Sequence, residues 1–165
     1  MTNHQRPAKT IKESRFTLSA LMGPQDANAH GNVHGGVIMK MVDEAGALVA
    51  MRHAASLVVT VAIDSMTFMK PIYVGHLVLC NAELTYVGRT SMEVRVEVIS
   101  EDPLSGSSTI TNAAYAVYVA IGDDGQPLTV PELVFETEEE IRRAAAARER
   151  QDYRKQQRNR EFVTG

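Results

Sequence analysis

The sequence predicts an α+β fold with five antiparallel strands, one long helix and a C-terminal helical extension. Three observations lead to this prediction. Residues 37–53 have apolar side chains at helical spacing. Four segments after them change to a period of two or become rich in β-branched residues, which is typical of strands. The chain then ends in a strongly charged segment that opens with a helix-capping pattern.

The bulk composition sets limits on the class of protein. With 165 residues, of which 44% are apolar, the chain has the size of one domain with a proper core. No apolar run approaches the roughly 20 residues that span a bilayer, and residues 1–16 lack the apolar stretch of a signal peptide. The single cysteine, Cys80, excludes an internal disulfide framework. We therefore predict a cytoplasmic protein without membrane insertion. The net charge of -3 gives no support to nucleic-acid binding.

The first half of the chain reads as strand, loop and helix. Residues 14–21 have the pattern of a short strand, and residues 22–32 that of a loop. Residues 37–53 then form the predicted central helix. Its apolar stripe consists of Ile38, Met41, Val42, Ala45, Leu48 and Val49.

Four strands are predicted after the helix. They cover residues 57–69, 77–87, 91–101 and 108–121, and turn residues lie in each of the segments 70–75, 88–90, 102–106 and 122–127. Because these connections are short, we expect the four strands to form an antiparallel meander.

The predicted C-terminal extension covers residues 126–165. Thr137 and Glu140 form a capping box, and acidic residues precede basic ones as the helix dipole favours. Eight of the chain's 17 basic residues lie between positions 141 and 160. The favoured interpretation is a solvated helix that packs on the sheet or on a partner subunit, and the alternative is a basic surface for an anionic ligand or nucleic acid.

The side of the central helix opposite its apolar stripe is unexpectedly rich in small residues, and only Lys40 and Glu44 interrupt this surface. It carries Gly36, Met39, Asp43, Gly46, Ala47 and Ala50. Such a surface permits the close approach of another subunit or of a ligand. Asp43 lies in its middle and is either a salt-bridged acid beside Lys40 or an acid in a partly dry crevice, where desolvation makes a carboxylate a stronger base.

The Gly35-Gly36 pair lies where this helix is expected to begin. Glycines there let a ligand approach unpaired backbone N–H groups, and the helix dipole favours negative charge at that end. A thioester or ester carbonyl that develops an oxyanion would be stabilised by this arrangement. A plain turn into a helix also uses glycines, so the combination with the acid is more informative than the pair.

Residues 15–125 resemble the hotdog-fold acyl-CoA thioesterases, in particular the group of brain-type acyl-CoA hydrolase and its bacterial relatives. The resemblance rests on Asn28, on the "GNVHGG" segment at 31–36 and on Asp43, together with "MTFMKP" at 66–71 and "VGRTS" at 87–91. It implies a sheet wrapped around the central helix, and we assign residues 10–125 to this hotdog domain. It also implies hydrolysis of fatty acyl-CoA to fatty acid and CoA.

The resemblance further implies roles for individual residues. Asp43 would be general base or nucleophile, Asn28 of the other subunit would orient water or the carbonyl, and the Gly36 N–H would polarise the thioester. Residues expected to bind substrate or CoA are Asn32, His34, Gly35, Lys70, Arg89, Thr90 and Ser91. The active site would lie at a homodimer interface, with a trimer of dimers as the expected hexamer. We expect no cofactor beyond the CoA of the substrate, and no metal.

Two other functions remain open. "DANAH" at 26–30 is a near match to a hotdog hydratase or dehydratase motif, although one residue is missing between Asp26 and His30. A non-catalytic acyl-CoA sensor is the second, with the Arg-rich helix as its only segment for DNA. The sequence does not determine acyl-chain length, because four apolar side chains could line or close the acyl site: Met39, Met66, Phe68 and Met69.

Overall fold

A computed structural model describes residues 6–162 and contains seven strands and three α-helices in that range. In chain order these elements are β1 (Ala8–Thr10), α1 (Ile11–Ser14), β2 (Phe16–Leu21), α2 (Gly35–Ala54), β3 (Leu57–Ile63), β4 (Leu77–Val87), β5 (Ser91–Glu101), β6 (Ser108–Ile121), β7 (Glu132–Val134) and α3 (Glu138–Phe162). The strands predicted at 77–87, 91–101 and 108–121 are confirmed at both ends. None of the described helices is long and apolar enough to cross a membrane.

The main sheet has the order β2-β4-β5-β6-β3, and every neighbouring pair is antiparallel. The predicted four-strand meander is therefore wrong in one respect, because β3 pairs with β6 at the far edge and not with β4. The predicted strand 57–69 is also too long. It ends at Ile63, after which residues 64–76 carry the chain from the β3 edge of the sheet to β4, which lies next to the opposite edge strand β2. Val33 and Ile72 hold this crossing segment against the α2 entry by a backbone hydrogen bond of 2.8 Å.

The core lies between α2 and the concave face of the main sheet. The predicted apolar stripe of α2 is confirmed, since Ile38, Val42 and Val49 are fully covered. From the sheet, alternate residues of β4, β5 and β6 complete the core; they include Val78, Cys80, Leu84, Met92, Val94, Val96, Ala116 and Tyr118. Burial raises the pKa of the Cys80 thiol to about 12. The sheet thus wraps around the central helix as expected.

Helix α2 begins two residues before the predicted position because both glycines belong to it. His34 is its N-cap, and Ala55 ends it in the left-handed conformation with φ of 54°. The glycine pair therefore forms the first turn of the helix, where N–H groups lack intrahelical acceptors.

Helix α3 packs on the convex face of the main sheet. Its capping box is confirmed: the Glu140 N–H donates to Thr137 Oγ1 (3.2 Å), and the Thr137 N–H donates to the Glu140 carboxylate (3.2 Å). Arg150 and Arg154 donate to Glu93 of β5, whose side chain is completely buried. The interpretation as a helix that packs on the sheet is confirmed. The division between domain and extension at residue 125 stays a prediction.

Candidate active site

Asn28 organises the loop that leads into α2. Its Oδ1 accepts hydrogen bonds from the N–H groups of His30 (2.9 Å) and Asn32 (3.2 Å), and its own N–H donates to the Asn32 carbonyl (2.7 Å). The side-chain carbonyl is therefore occupied by the loop. The amide NH₂ remains the group that Asn28 can offer to a ligand, and as a donor it suits a carbonyl oxygen or a water molecule.

A crevice of about 230 Å³ opens beside the beginning of α2. We call it the α2 crevice, and its lining residues are Asn28, Asn32, Val33, Gly35, Ile38, Phe68, Lys70, Pro71 and Ile72. Most of this lining is apolar, while two amides and one lysine supply polar groups. The structure thus brings together four of the predicted site residues: Asn28, Asn32, Gly35 and Lys70.

The first turn of α2 already has internal partners for some of its donors. The His34 N–H donates to the Asp26 carbonyl (2.7 Å), the Gly36 N–H donates to His34 Nδ1 (2.9 Å), and the Val37 N–H donates to the His34 carbonyl (3.0 Å). The predicted thioester donor, Gly36, is thus engaged by the His34 ring. Within residues 6–162 the Gly35 N–H has no acceptor, and Gly35 also lines the α2 crevice.

Asp43 lies two turns further along α2 and is half-buried. Its Oδ1 accepts a hydrogen bond from Thr60 Oγ1 of β3 (2.8 Å), and Tyr118 Oη of β6 lies 3.2 Å from the same oxygen. The alternative salt bridge with Lys40 is not present, because Lys40 pairs with Glu44 at 3.7 Å. Asp43 is thus held by two neutral hydroxyl groups, so its carboxylate is oriented without a nearby counter-ion.

The small-residue face of α2 is only partly open. Gly36 and Met39 are exposed, whereas Gly46 and Ala50 are buried beneath the sheet. The expectation that this face admits another subunit or a ligand is therefore corrected at Gly46, where Tyr118 of the same chain fills the space. Thr60 and Tyr118 were not among the predicted site residues, because a hydroxyl within an apolar strand carries no pattern of its own.

The turn that contains Arg89 and Thr90 lies at the opposite end of the sheet from the α2 crevice. It packs near the end of β6 and near Val130, through backbone hydrogen bonds from Ala120 to Thr90 (3.1 Å) and from Val130 to Arg89 (2.9 Å). The crevice lies at the beginning of α2, close to the start of β4. One subunit therefore does not bring Arg89, Thr90 and Ser91 together with Lys70.

No group of three or more His, Cys, Asp or Glu side chains that could hold a metal ion occurs within residues 6–162. His53, for example, is buried and its Nε2 lies 2.9 Å from the Pro131 carbonyl. Burial lowers its pKa. His76 contacts Ser100 through Nδ1 at 3.0 Å. His53 Nε2 and His76 Nδ1 thus have structural partners.

Residues 30–107 match the family model described as the thioesterase superfamily. A Bacillus subtilis protein that is named as an uncharacterized acyl-CoA thioester hydrolase is 36% identical over 144 residues, which cover 87% of this chain and 84% of that protein. The cytosolic acyl coenzyme A thioester hydrolase of Rattus norvegicus is 38% identical over 136 residues. The match covers 81% of this chain but only 36% of the rat protein, so the chain spans about a third of that relative.

Two solved structures are similar over nearly the whole chain. An acyl-CoA hydrolase from Staphylococcus aureus, in complex with butyryl coenzyme A, coenzyme A and coenzyme A disulfide, is 34% identical with a TM-score of 0.88 and 96% coverage of both chains. That enzyme has also been solved with one aspartate, one asparagine or one threonine replaced by alanine. An apo-hexameric acyl-CoA thioesterase is 38% identical, with a TM-score of 0.87 over 92% of this chain and 97% of the other.

Proposed function

Since this chain belongs to the thioesterase superfamily, we propose that it hydrolyses acyl-CoA thioesters to a fatty acid and free CoA. The observation that carries the proposal is the Asp43 carboxylate, which Thr60 holds by a 2.8 Å hydrogen bond on a half-buried face of α2. An oriented carboxylate suits proton transfer, and the open donors at the beginning of α2, two turns away in the same subunit, suit a developing oxyanion. The Bacillus subtilis relative, which has a similar length, is named as an uncharacterized acyl-CoA thioester hydrolase and supports the proposal.

Asp43 acts on water in this proposal. Its carboxylate takes a proton from a water molecule, whose oxygen attacks the thioester carbon, and the C–S bond breaks as the tetrahedral intermediate collapses. The leaving CoA thiolate receives the proton from Asp43, so that acid and thiol are both released. Direct attack by Asp43 to form a mixed anhydride, which water then hydrolyses, is the second route open to the same carboxylate.

Donors at the beginning of α2 stabilise the oxyanion in this scheme. The Gly35 N–H lines the α2 crevice, and the Gly36 N–H becomes a second donor when the His34 ring turns away from it. Asn28 adds its amide NH₂, since its carbonyl already accepts from the loop. Lys70 and Asn32 line the same crevice and serve CoA binding.

Strand β3 favours a homodimer. It is an edge strand, and its exposed residues include Leu57, Val59 and Val61, of which Leu57 is 65% and Val61 54% exposed. An apolar edge strand pairs readily with a second copy. Antiparallel pairing of two β3 edges would place the partner's turn with Arg89, Thr90 and Ser91 at the end of the joined sheet where this subunit has its α2 crevice. We therefore propose an active site that two subunits share.

The proposed higher assembly and location are based on the names of the relatives. A trimer of such dimers is supported by the apo-hexameric thioesterase, and a cytoplasmic location by the rat relative, which is named as cytosolic. The reaction as proposed needs no cofactor besides the CoA of the substrate. The hydratase alternative has no structural support, because Asp26 accepts from the Gly23 N–H (2.8 Å) within its own turn.

The proposal is tested by following thiol release from acyl-CoAs of increasing chain length. We expect Asp43→Ala to lower kcat by about 10²- to 10⁴-fold, the contribution of a positioned general base. The matched control is Glu44→Ala, which removes the neighbouring acid and its pairing with Lys40. Asp43→Ala with near-wild-type turnover, or an enoyl-CoA that loses its double bond without thiol release, would contradict the assignment.

A further inference from the structure

Tyr118 is the largest of the completely buried side chains and reaches from β6 to the site on α2. Its hydroxyl lies 3.0 Å from the Asp43 carbonyl oxygen and 3.2 Å from Asp43 Oδ1. Thr60 of β3 donates to the same Oδ1 from the neighbouring strand. Two strands of the sheet thus converge on one carboxylate oxygen.

We infer that Tyr118 is a positioning residue for Asp43, which it holds together with Thr60 so that Oδ2 is turned towards substrate and water. The inference rests on the proposed function and extends it to a residue that does not touch the substrate. Within residues 6–162 no hydrogen bond engages Oδ2, whereas Oδ1 has both hydroxyls. One oxygen is fixed by the protein, and the other is available for proton transfer.

The Tyr118 hydroxyl is suited to this task because it remains protonated. Burial, the charge of Asp43 and the hydrogen bond to it all raise the pKa of Tyr118 above its usual range. The hydroxyl has one hydrogen, which it shares between the main-chain carbonyl and Oδ1. The contact with Oδ1 is charge-assisted, so it is the stronger of the two when Asp43 is ionised.

Gly46 shows that α2 is shaped to admit this tyrosine. A Cβ atom at position 46 would lie 2.9 Å from both Cε2 and Cζ of the Tyr118 ring, a distance that real Cβ contacts do not show. Glycine weakens the interior of a helix relative to alanine. The sequence thus carries an unfavourable helix residue at the one turn that Tyr118 must pass to reach Asp43.

Charged groups close to Asp43 and Thr60 in the chain, on α2 and directly after β3, are already paired. Lys40 and Glu44 flank it on α2 and bind each other at 3.7 Å. Asp64, which directly follows β3, is held by Arg154 at 2.7 Å. β3 and β6 therefore present to Asp43 the hydroxyls of Thr60 and Tyr118, and these two hydroxyls determine how the carboxylate is oriented.

The test compares Tyr118→Phe with Tyr115→Phe. Both replacements remove one hydroxyl from β6, but Tyr115 lies on the convex face beneath Arg150 and does not contact Asp43. We expect Tyr118→Phe to lower kcat for acyl-CoA hydrolysis by about 10-fold, the value of one hydrogen bond to a charged group. KM should stay within about twofold, because substrate binding does not use this hydroxyl. Tyr115→Phe should behave as the wild type.

Gly46→Ala is the second variant, and it acts without changing Tyr118. The added methyl group displaces the ring, so we expect a loss of kcat similar to that of Tyr118→Phe, again without a change in KM. In the Tyr118→Phe background it should cost little further kcat, because the hydroxyl contact is already lost. A normal kcat in folded Tyr118→Phe overturns the inference. So does a loss of kcat/KM in both variants that is entirely explained by a rise in KM. A wild-type protein that releases no thiol overturns the proposed function as well.

Discussion

At the scale of single residues, Asn28 separates two tasks within one side chain. Its carbonyl oxygen is used by the loop, through His30 and Asn32, and its NH₂ group remains for the substrate. An alanine there removes both, whereas an aspartate keeps an acceptor for the loop and removes the donor. Asn28 therefore permits a substitution that tests the chemistry apart from the loop.

We predict that Asn28→Asp lowers kcat by about 10²-fold, the usual effect of removing one donor to a developing oxyanion. Substrate binding should weaken much less, because the loop hydrogen bonds remain. The measurement is steady-state kinetics of thiol release. Asn81→Asp is the control, because Asn81 lies on the convex face, where its side chain accepts from Thr17. Equal losses of kcat and of substrate affinity would indicate a binding role instead.

Part of the site could be predicted from the sequence at this scale. Asp43 can be predicted because it is an acid in the middle of a helix face that is rich in small residues. The Gly35-Gly36 pair can be predicted because it lies where the helix is expected to begin. Thr60 and Tyr118 could not be found in this way, since they lie 17 and 75 residues from Asp43 in the chain. Their role exists only after β3 and β6 have become neighbours. Gly46 is recognisable in the sequence as a small residue of this helix face. That the Tyr118 ring packs against it could not be predicted.

At the scale of elements, α3 is attached to the sheet by buried charges. Glu93 is completely buried, and its carboxylate accepts hydrogen bonds from Thr85 (2.6 Å), Arg150 (2.8 Å) and Arg154 (2.6 Å). Arg154 also binds Asp64. Arg150 lies over the Tyr115 ring at 3.7 Å. The charges of the cluster balance, so a buried carboxylate is tolerated. Because Asp64 begins the segment that crosses to the α2 crevice, α3 also holds the start of that segment.

We predict that Arg154→Met destabilises the fold by about 2 kcal/mol, less than the full cost of an unpaired buried charge because Arg150 and Thr85 still bind Glu93. The free energy of unfolding should be measured by chemical denaturation at fixed protein concentration. Arg148→Met is the control, since Arg148 is exposed on the same helix. Equal stability of the two variants would show that the Arg154 contacts contribute no net stabilisation.

The elements themselves were largely predictable, and their partners were not. Alternation of side chains set both ends of β4, β5 and β6, and the capping box set the beginning of α3. The predicted strand 57–69 is too long because Met66 and Phe68 continue its alternation, although Met66 packs against the core and Phe68 lines the α2 crevice outside the sheet. Local periodicity indicates which residues share a face of an element, but not which other element covers that face.

At the scale of the whole molecule, the open β3 edge and the separation of the predicted CoA residues both favour a site built by two subunits. Lys70 lies at one end of the sheet, and the turn with Arg89 and Thr90 lies at the other. The strand order that exposes β3 could not be predicted, because the pattern of the crossing segment 64–76 predicts a strand followed by a short turn. The prediction that the sheet wraps around α2 came instead from the resemblance to a known family.

We predict that Asp43→Ala and Asn28→Ala subunits regain activity when mixed. If each site takes Asp43 from one subunit and Asn28 from the other, a mixed dimer contains one complete site and one site that lacks both residues. After statistical exchange, about a quarter of the wild-type activity should return. Thiol release is measured after exchange has been verified by mass spectrometry of labelled subunits. Mixing Asp43→Ala with Asp43→Asn is the control and should restore nothing; the absence of recovery in the first mixture would place both residues in one subunit.

The buried position of Cys80 has a practical consequence for every kinetic measurement above. The chain's one sulfhydryl lies inside the core with its pKa raised to about 12, so at neutral pH it is neither ionised nor accessible to a chromogenic disulfide reagent. The colour that such a reagent develops during turnover therefore reports coenzyme alone. A signal that appears without substrate would in turn reveal opening of the core, so the same cuvette monitors both catalysis and unfolding.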